Sequence, residues 1–203
     1  MKFSSRLLEQ AVDALSGLPT IGKKTALRLA LYLLKQDKEK VKNLANALIA
    51  MAENVKKCDY CFNLSDEHIC QICSDNSRNK EILCVVETIR DVMAIEETGQ
   101  FNGRYHVLGG IISPIDGIGP EQLTIDALQE RVQKESIKEL IMAVSPTIEG
   151  ETTIFYISRQ LAPFGVSIST IARGVSFGGE LEYADELTLG RSIVARLPYK
   201  SNL

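Results

Sequence analysis

The chain has 203 residues, 45% of them apolar and 24% charged, with a formal net charge of −3. That composition belongs to a soluble globular protein long enough to bury a core in one or two domains. No apolar run approaches the ~20 residues of a membrane helix and residues 1–10 lack a signal-peptide core, so no membrane partner is expected and the cytoplasm is the default compartment.

In residues 2–15, Phe3, Leu7, Leu8, Val12 and Leu15 recur near helical spacing and predict an amphipathic helix, which Ser16-Gly17 ends. Leu18-Pro19-Thr20-Ile21-Gly22 makes a short turn, and residues 25–34 predict a second, strongly apolar helix. Leu15, Leu18, Pro19, Ile21 and Gly22, with basic residues entering the next helix, resemble a helix-hairpin-helix, a DNA-binding device that does not read sequence. A glycine turn at a helix N-terminus lets backbone N–H groups approach a phosphate, and Lys23, Lys24 and Arg28 supply the charge. These three are the candidate DNA-binding residues. Thr20 stands where the motif usually has glycine, so a left-handed backbone there would be strained. A plain αα-hairpin fits the same pattern, and Leu27, Leu31 and Leu34 offer enough apolar surface for the hairpin to serve in dimerisation. Residues 39–57 predict a third helix, with Val41, Leu44, Leu48, Met51 and Val55 on one side.

Two Cys-x-x-Cys pairs follow, Cys58 with Cys61 and Cys70 with Cys73. Each pair sets two thiolates on one tight turn, and the short gap between pairs lets four sulfurs meet around one tetrahedral Zn²⁺ in a compact knuckle without a helix between the pairs. With all four positions filled by sulfur, the expected site is structural. Two disulfides or four buried thiols fit the spacing too, though disulfide-rich secreted chains distribute cysteine differently. His68 reads as an exposed loop residue, and Cys84, within an apolar run, as a buried inert thiol.

Polar residues 74–79 mark a boundary. Beyond it, residues 82–86, 105–108, 139–144 and 166–172 predict strands, and residues 90–97, 121–133, 152–161 and 184–195 predict helices. Strands without alternation, each followed by a helix, imply a mostly parallel sheet covered on both faces, with functional residues beyond the strands' carboxyl ends. Glu87, the loop at residues 109–119, and residues 145–151 occupy those places. Net charge divides along the chain: residues 1–57 carry 11 Lys/Arg against 5 Asp/Glu, a net of +6, while residues 58–80 carry −2 and residues 81–203 carry −7. A basic first module suits a polyanion; an acidic second one does not.

Glu87 at the end of the first strand, with Ser145-Pro146-Thr147 and then Glu149-Gly150-Glu151 after the third, resembles the Toprim domain of topoisomerases, primases and some nucleases. In catalytic Toprim proteins a glutamate and an Asp-x-Asp pair hold Mg²⁺. Here Glu87 matches the glutamate, but Ser145 and Thr147 stand at the aspartate positions and cannot hold a hard cation comparably, so no cleavage chemistry is expected. The alternative is a Mg²⁺-dependent Toprim nuclease or topoisomerase. Tyr156, at helical spacing, reads as a packing or surface residue rather than a nucleophile.

The order helix-hairpin-helix, four-cysteine site, altered Toprim, and a C-terminal stretch from Gly178-Gly179 to Leu189 resembles the RecR family of bacterial recombination mediators over essentially the whole chain; the loop at residues 107–120 is similar to a signature loop of that family. Lys23, where proline is frequent, and Ser176-Phe177 depart from its pattern. The resemblance implies a non-enzymatic, ring-like DNA clamp, a tetramer built from dimers. It would act with RecO and RecF to promote RecA loading on gapped single-stranded DNA, at the nucleoid. It also suggests Glu87, Glu149 and Glu151 as an acidic surface for a basic patch on RecO. The expected architecture is a mixed, multidomain α+β chain: helix-hairpin-helix module 1–57, zinc knuckle and linker 58–80, α/β Toprim-like domain 81–175, and C-terminal helical assembly segment 176–203.

Overall fold

The computed structural model describes residues 3–172, 174–175, 178 and 180–198. Ser176, Phe177 and Gly179 lie outside the described residues, as does residue 2 of the first predicted helix. Two compact units divide the chain, the first ending at Val55 and the second beginning at Lys56.

The first unit holds α1 (Arg6–Ser16), α2 (Lys23–Leu34) and α3 (Lys38–Asn54). α1 starts where the Ser5 hydroxyl accepts the Leu8 N–H, later than the apolar periodicity alone suggests, because the cap and not the spacing supplies the missing acceptor. Val12 of α1 packs on Ala26 and Ala30 of α2, with Phe3, Leu8, Leu15, Ile21 and Leu27 partly buried around them. The small alanines let the two helices approach. α3 begins at an Asp37 cap and buries none of its side chains, leaving Leu44, Leu48, Ile49 and Met51 exposed. It ends at Asn54, not at residue 57 as the apolar pattern predicts. Lys56–Lys57 (β1) is instead drawn into an antiparallel pairing with Leu64–Ser65 (β2).

The second unit is built on four parallel strands, β3 (Ile82–Val86), β4 (Arg104–Val107), β5 (Glu139–Ala143) and β6 (Ser167–Thr170), in the order β4-β3-β5-β6. The parallel arrangement expected from the sequence is therefore present. Alternate residues of β3 feed two different cores. Leu83 and Val85, with Leu140 and Met142 of β5, pack under α6 (Ile125–Lys134) and α7 (Ile148–Leu161) through Leu128, Val132, Ile157 and Leu161. Cys84 and Val86, with Tyr105 and Val107 of β4, face α5 (Ile89–Glu97), which contributes Val92. Burial pushes the Cys84 thiol up to about 12, so it is inert. α8 (Glu186–Val194) follows a short 3₁₀ turn at Leu181–Tyr183 and buries no side chain.

α7 starts four residues before the predicted helix. The Thr147 hydroxyl accepts the Gly150 N–H and caps it, so Glu149-Gly150-Glu151 forms a first helical turn rather than a loop. Arg78, in the linker predicted from polarity alone, is 14% exposed at its side chain and ion-pairs with Glu96 of α5. Its guanidinium also donates to the Gly103 carbonyl (3.1 Å), and the Tyr105 hydroxyl donates to Glu96 (2.7 Å). The linker is thereby tied to the sheet domain.

Thr20 has φ 67°, the left-handed conformation that a β-branched residue resists, and it is exposed, so it gains nothing from packing. Relief of strain worth about 1–2 kcal/mol, less the extra chain entropy of glycine, predicts that Thr20→Gly stabilises the helical unit by about 0.5–1 kcal/mol in denaturant unfolding followed by helical circular dichroism. For Glu96, the Arg78 guanidinium holds its carboxyl below the usual range. A depressed carboxyl contributes stability that is fully present above the unfolded value of about 4.3 and is lost as pH falls through the folded one. Glu96→Gln should then cost about 1.5–3 kcal/mol at pH 7, with the difference from wild type shrinking below about pH 4.

Candidate functional site

The four cysteines predicted as ligands lie together. Cys58, Cys61, Cys70 and Cys73 are buried, and their sulfurs all fall within 4.8 Å of one another. Cys61 Sγ and Cys70 Sγ are 3.5 Å apart, far beyond a disulfide bond and close to the ~3.8 Å that four 2.3 Å Zn–S bonds give in a tetrahedron. Backbone geometry prepares the set. Phe62 N–H bonds the Cys58 carbonyl (3.0 Å), closing the first turn, and Cys70 N–H points at Cys58 Sγ (3.3 Å), as donors to a metal-bound thiolate do. The second pair opens α4 (Gln71–Ser74), which carries Cys73. The Cys61–Cys70 hydrogen bond, with burial behind it, holds the Cys61 thiol well above the ordinary range, while Cys70, its partner, is pulled below. Four thiolates cannot coexist in so small a buried space without a cation, and Zn²⁺ is the ion this donor set fits. The centre is structural. His68 is exposed and its Nδ1 sits 3.2 Å from Asp59, away from the sulfurs.

The knuckle is docked on the sheet domain at strand β4. Val107 N–H donates to the Cys61 carbonyl (2.9 Å), and Arg104 donates to the Cys73 carbonyl (2.9 Å). Phe62 adopts φ 62°, a conformation unusual for an aromatic residue, and its ring meets His106 edge-on with centroids 5.3 Å apart. Ile72 of α4 joins the same core. His106 itself is wholly buried and bonded through Nε2 to Thr124; burial pushes it down to about 3, so it stays neutral under the knuckle. None of these contacts is visible in the spacing of the cysteines.

At the carboxyl ends of β3 and β5, Glu87 accepts the Ser145 N–H. The glutamate that matches a catalytic Toprim ligand therefore braces the loop at residues 145–147. Gly150 is required on the other side of that loop, because a Cβ there would sit 2.0 Å from the Ser145 carbonyl oxygen. Glu149 and Glu151 lie on the same first turn of α7, partly buried. Among the described residues, Glu87, Glu149 and Glu151 form no group converging on one ion; the cysteines are the set that does. The glycine-rich loop at residues 109–119 is anchored to α7 through Ile112 N–H and the Thr153 hydroxyl (2.9 Å).

Lys23, Lys24 and Arg28 fall on α2 but on different sides. Lys23 is 3.9 Å from Asp13 of α1, whereas Lys24 and Arg28 have no carboxylate within ion-pair distance among the described residues. No side chain caps the α2 N-terminus, so its leading N–H groups remain open. Gly22 has φ −77° and open space where a Cβ would be, so its value is room for approach rather than a left-handed turn. Lys35, two turns beyond Arg28 at the end of α2, completes a line of cations that only the helical register reveals.

Family comparisons match this division of the chain. Residues 8–52 match the profile described as RecR, helix-hairpin-helix; residues 55–75 match that of the RecR four-cysteine zinc finger domain; residues 81–172 match the Toprim domain; and residues 174–196 match RecR, C-terminal. The chain is 57% identical over 202 residues to the recombination protein RecR of Flavobacterium psychrophilum, covering 100% of this chain and 98% of that one. To the recombination protein RecR of Porphyromonas gingivalis strain W83 it is 55% identical, again over 100% and 98% of the two chains. To that of Bacteroides thetaiotaomicron it is 55% identical over 96% and 95%.

If zinc holds the knuckle and the knuckle covers the sheet, removing the metal should affect both. Chelation, or Cys61→Ser, is expected to expose the second core, seen as dye binding and as a lower melting temperature of the sheet domain. Unchanged melting in a zinc-free protein, verified by metal analysis, would show that the knuckle is dispensable.

Proposed function

The chain belongs to the RecR family of recombination proteins, and from that membership we propose that it is a non-enzymatic recombination mediator which holds DNA without cutting it. The single observation that carries the non-catalytic reading is the engagement of Glu87 with the Ser145 N–H, where a catalytic Toprim would carry an acidic pair. A carboxylate that braces a loop, beside a serine and a threonine, is a poor seat for Mg²⁺. DNA holding is assigned to the helix-hairpin-helix unit through Lys24 and Arg28, with Lys23 contributing once it leaves Asp13. Unpaired cations and open helix N–H groups suit phosphates of any sequence.

In the finer reading, the protein works with RecO and RecF to promote RecA loading on gapped single-stranded DNA, in the cytoplasm at the nucleoid. It assembles as a ring-like homotetramer. The exposed apolar stripe of α3 and the exposed Leu187, Ile193 and Val194 of α8 support self-association, since soluble monomers seldom leave so much apolar surface uncovered. Several weak phosphate contacts on linked copies would then act together. Glu149 and Glu151, with Glu87 supporting the loop beside them, form the acidic surface assigned to RecO.

A Lys24→Ala, Arg28→Ala double variant of unchanged assembly size should bind gapped DNA at least tenfold more weakly in moderate salt and reduce the salt slope by about 2. Binding equal to wild type would sink the assignment. In the same series, wild type should leave supercoiled plasmid intact with Mg²⁺; cleavage or relaxation lost in Glu87→Gln would instead mark a Toprim enzyme. Glu149→Lys should weaken RecO capture without altering the DNA slope.

A further inference from the structure

α2 makes twelve residues of helix, and its inward side is set by Ala26 and Ala30, which are buried against α1. At about 100° per residue, Lys24, Arg28, Tyr32 and Lys35 fall on the opposite side, at i, i+4, i+8 and i+11. With Leu27 and Leu31 they line a shallow groove of about 430 Å³. The three cations have no acidic partner among the described residues, unlike Lys23, Lys42, Lys134 and Lys138, which sit beside carboxylates. Tyr32 is 59% exposed and contributes nothing to the helical core. Neither helix propensity nor packing calls for an aromatic side chain there.

We infer that this face of α2 reads unpaired nucleotides: Tyr32 stacks on an extruded or single-stranded base while Lys24, Arg28 and Lys35 hold the adjoining phosphates. The inference rests on the helix-hairpin-helix unit being the DNA-holding element, and it adds what kind of DNA that element prefers. An aromatic ring set in a row of cations combines the two interactions that bind single strands without sequence readout, because every base offers a stacking face and every nucleotide a charge. In a duplex the base faces are already stacked on one another, so the phosphates remain available but Tyr32 has nothing to stack on. Lys24 and Arg28 are one turn apart, about 6 Å along the axis, which suits neighbouring phosphates on one extended strand. The groove's charge also selects against its other occupant of suitable shape, a second copy of the same face. Twofold pairing there would set three cations against three with no carboxylate between them.

The test is fluorescence anisotropy with the full-length protein and three labelled ligands: an oligo-dT strand, the same strand carrying abasic sites, and a duplex of equal length. Tyr32→Ala is expected to bind oligo-dT about tenfold more weakly, to bind duplex within about twofold of wild type, and to keep the salt slope. Abasic substitution should weaken wild type and leave Tyr32→Ala nearly unaffected, while Tyr32→Phe behaves as wild type. Equal losses on single strand and duplex, or no loss on either, would overturn the stacking role. So would a change of mass by light scattering that accounts for the loss, since it would assign the face to contact between copies. Lys24→Ala keeps the two levels apart. If it weakens both ligands while Tyr32→Ala discriminates between neither, only the stacking inference fails; if it weakens neither, the DNA-holding assignment fails first.

Discussion

Val107 donates its N–H to the Cys61 carbonyl, and through that one bond a metal-binding turn becomes part of the sheet's edge. β4 is one of the sheet's two edge strands, β6 being the other, and an uncovered edge is both a lost set of hydrogen bonds and an invitation to pair with another chain. The knuckle answers both needs. Cys61 and Cys73 offer carbonyls to β4, and Phe62 and Ile72 supply apolar surface to the core that α5 alone does not close. Zinc is thus coupled to the sheet domain through main-chain atoms of its own ligands. The left-handed backbone at Phe62, about 1–2 kcal/mol unfavourable in isolation, is offset by what its ring buries against His106.

At the carboxyl ends of β3 and β5 the same domain places a glutamate where it braces a loop. A parallel sheet directs the ends of β3 and β5 to one side, which is why a glutamate there can reach the next loop at all. Serine and threonine follow β5 there, and the Glu87 carboxylate accepts the Ser145 N–H. Gly150 then allows α7 to start so close to Ser145 that no side chain would fit. The start of α7 thus requires the glycine of Glu149-Gly150-Glu151, whatever its glutamates do. Net charge divides the two units, basic in the helical one and acidic in this one.

Much of this was legible in the residues themselves. Two Cys-x-x-Cys pairs with a short gap define a zinc set, because four thiolates on two tight turns have few other stable uses. The apolar runs that become β3 and β5, each followed by a helical pattern, point to a parallel sheet, because a strand buried on both faces cannot alternate; β6, at an edge, is only half-buried. Even the strain at Thr20 could be anticipated from a β-branched residue standing where glycine is usual. What the residues could not disclose are matters of distance across the chain. Lys56 and Lys57 read as the end of a helix until β2 pairs with them; residues 74–79 read as a polar boundary until Arg78 closes on Glu96; and nothing beside Glu87 in the chain announces that it accepts the Ser145 N–H. Local composition determines which elements form and which ions they suit. Only the tertiary structure decides which polar groups are already satisfied by one another, because a hydrogen bond between residues 58 positions apart leaves no trace in either neighbourhood.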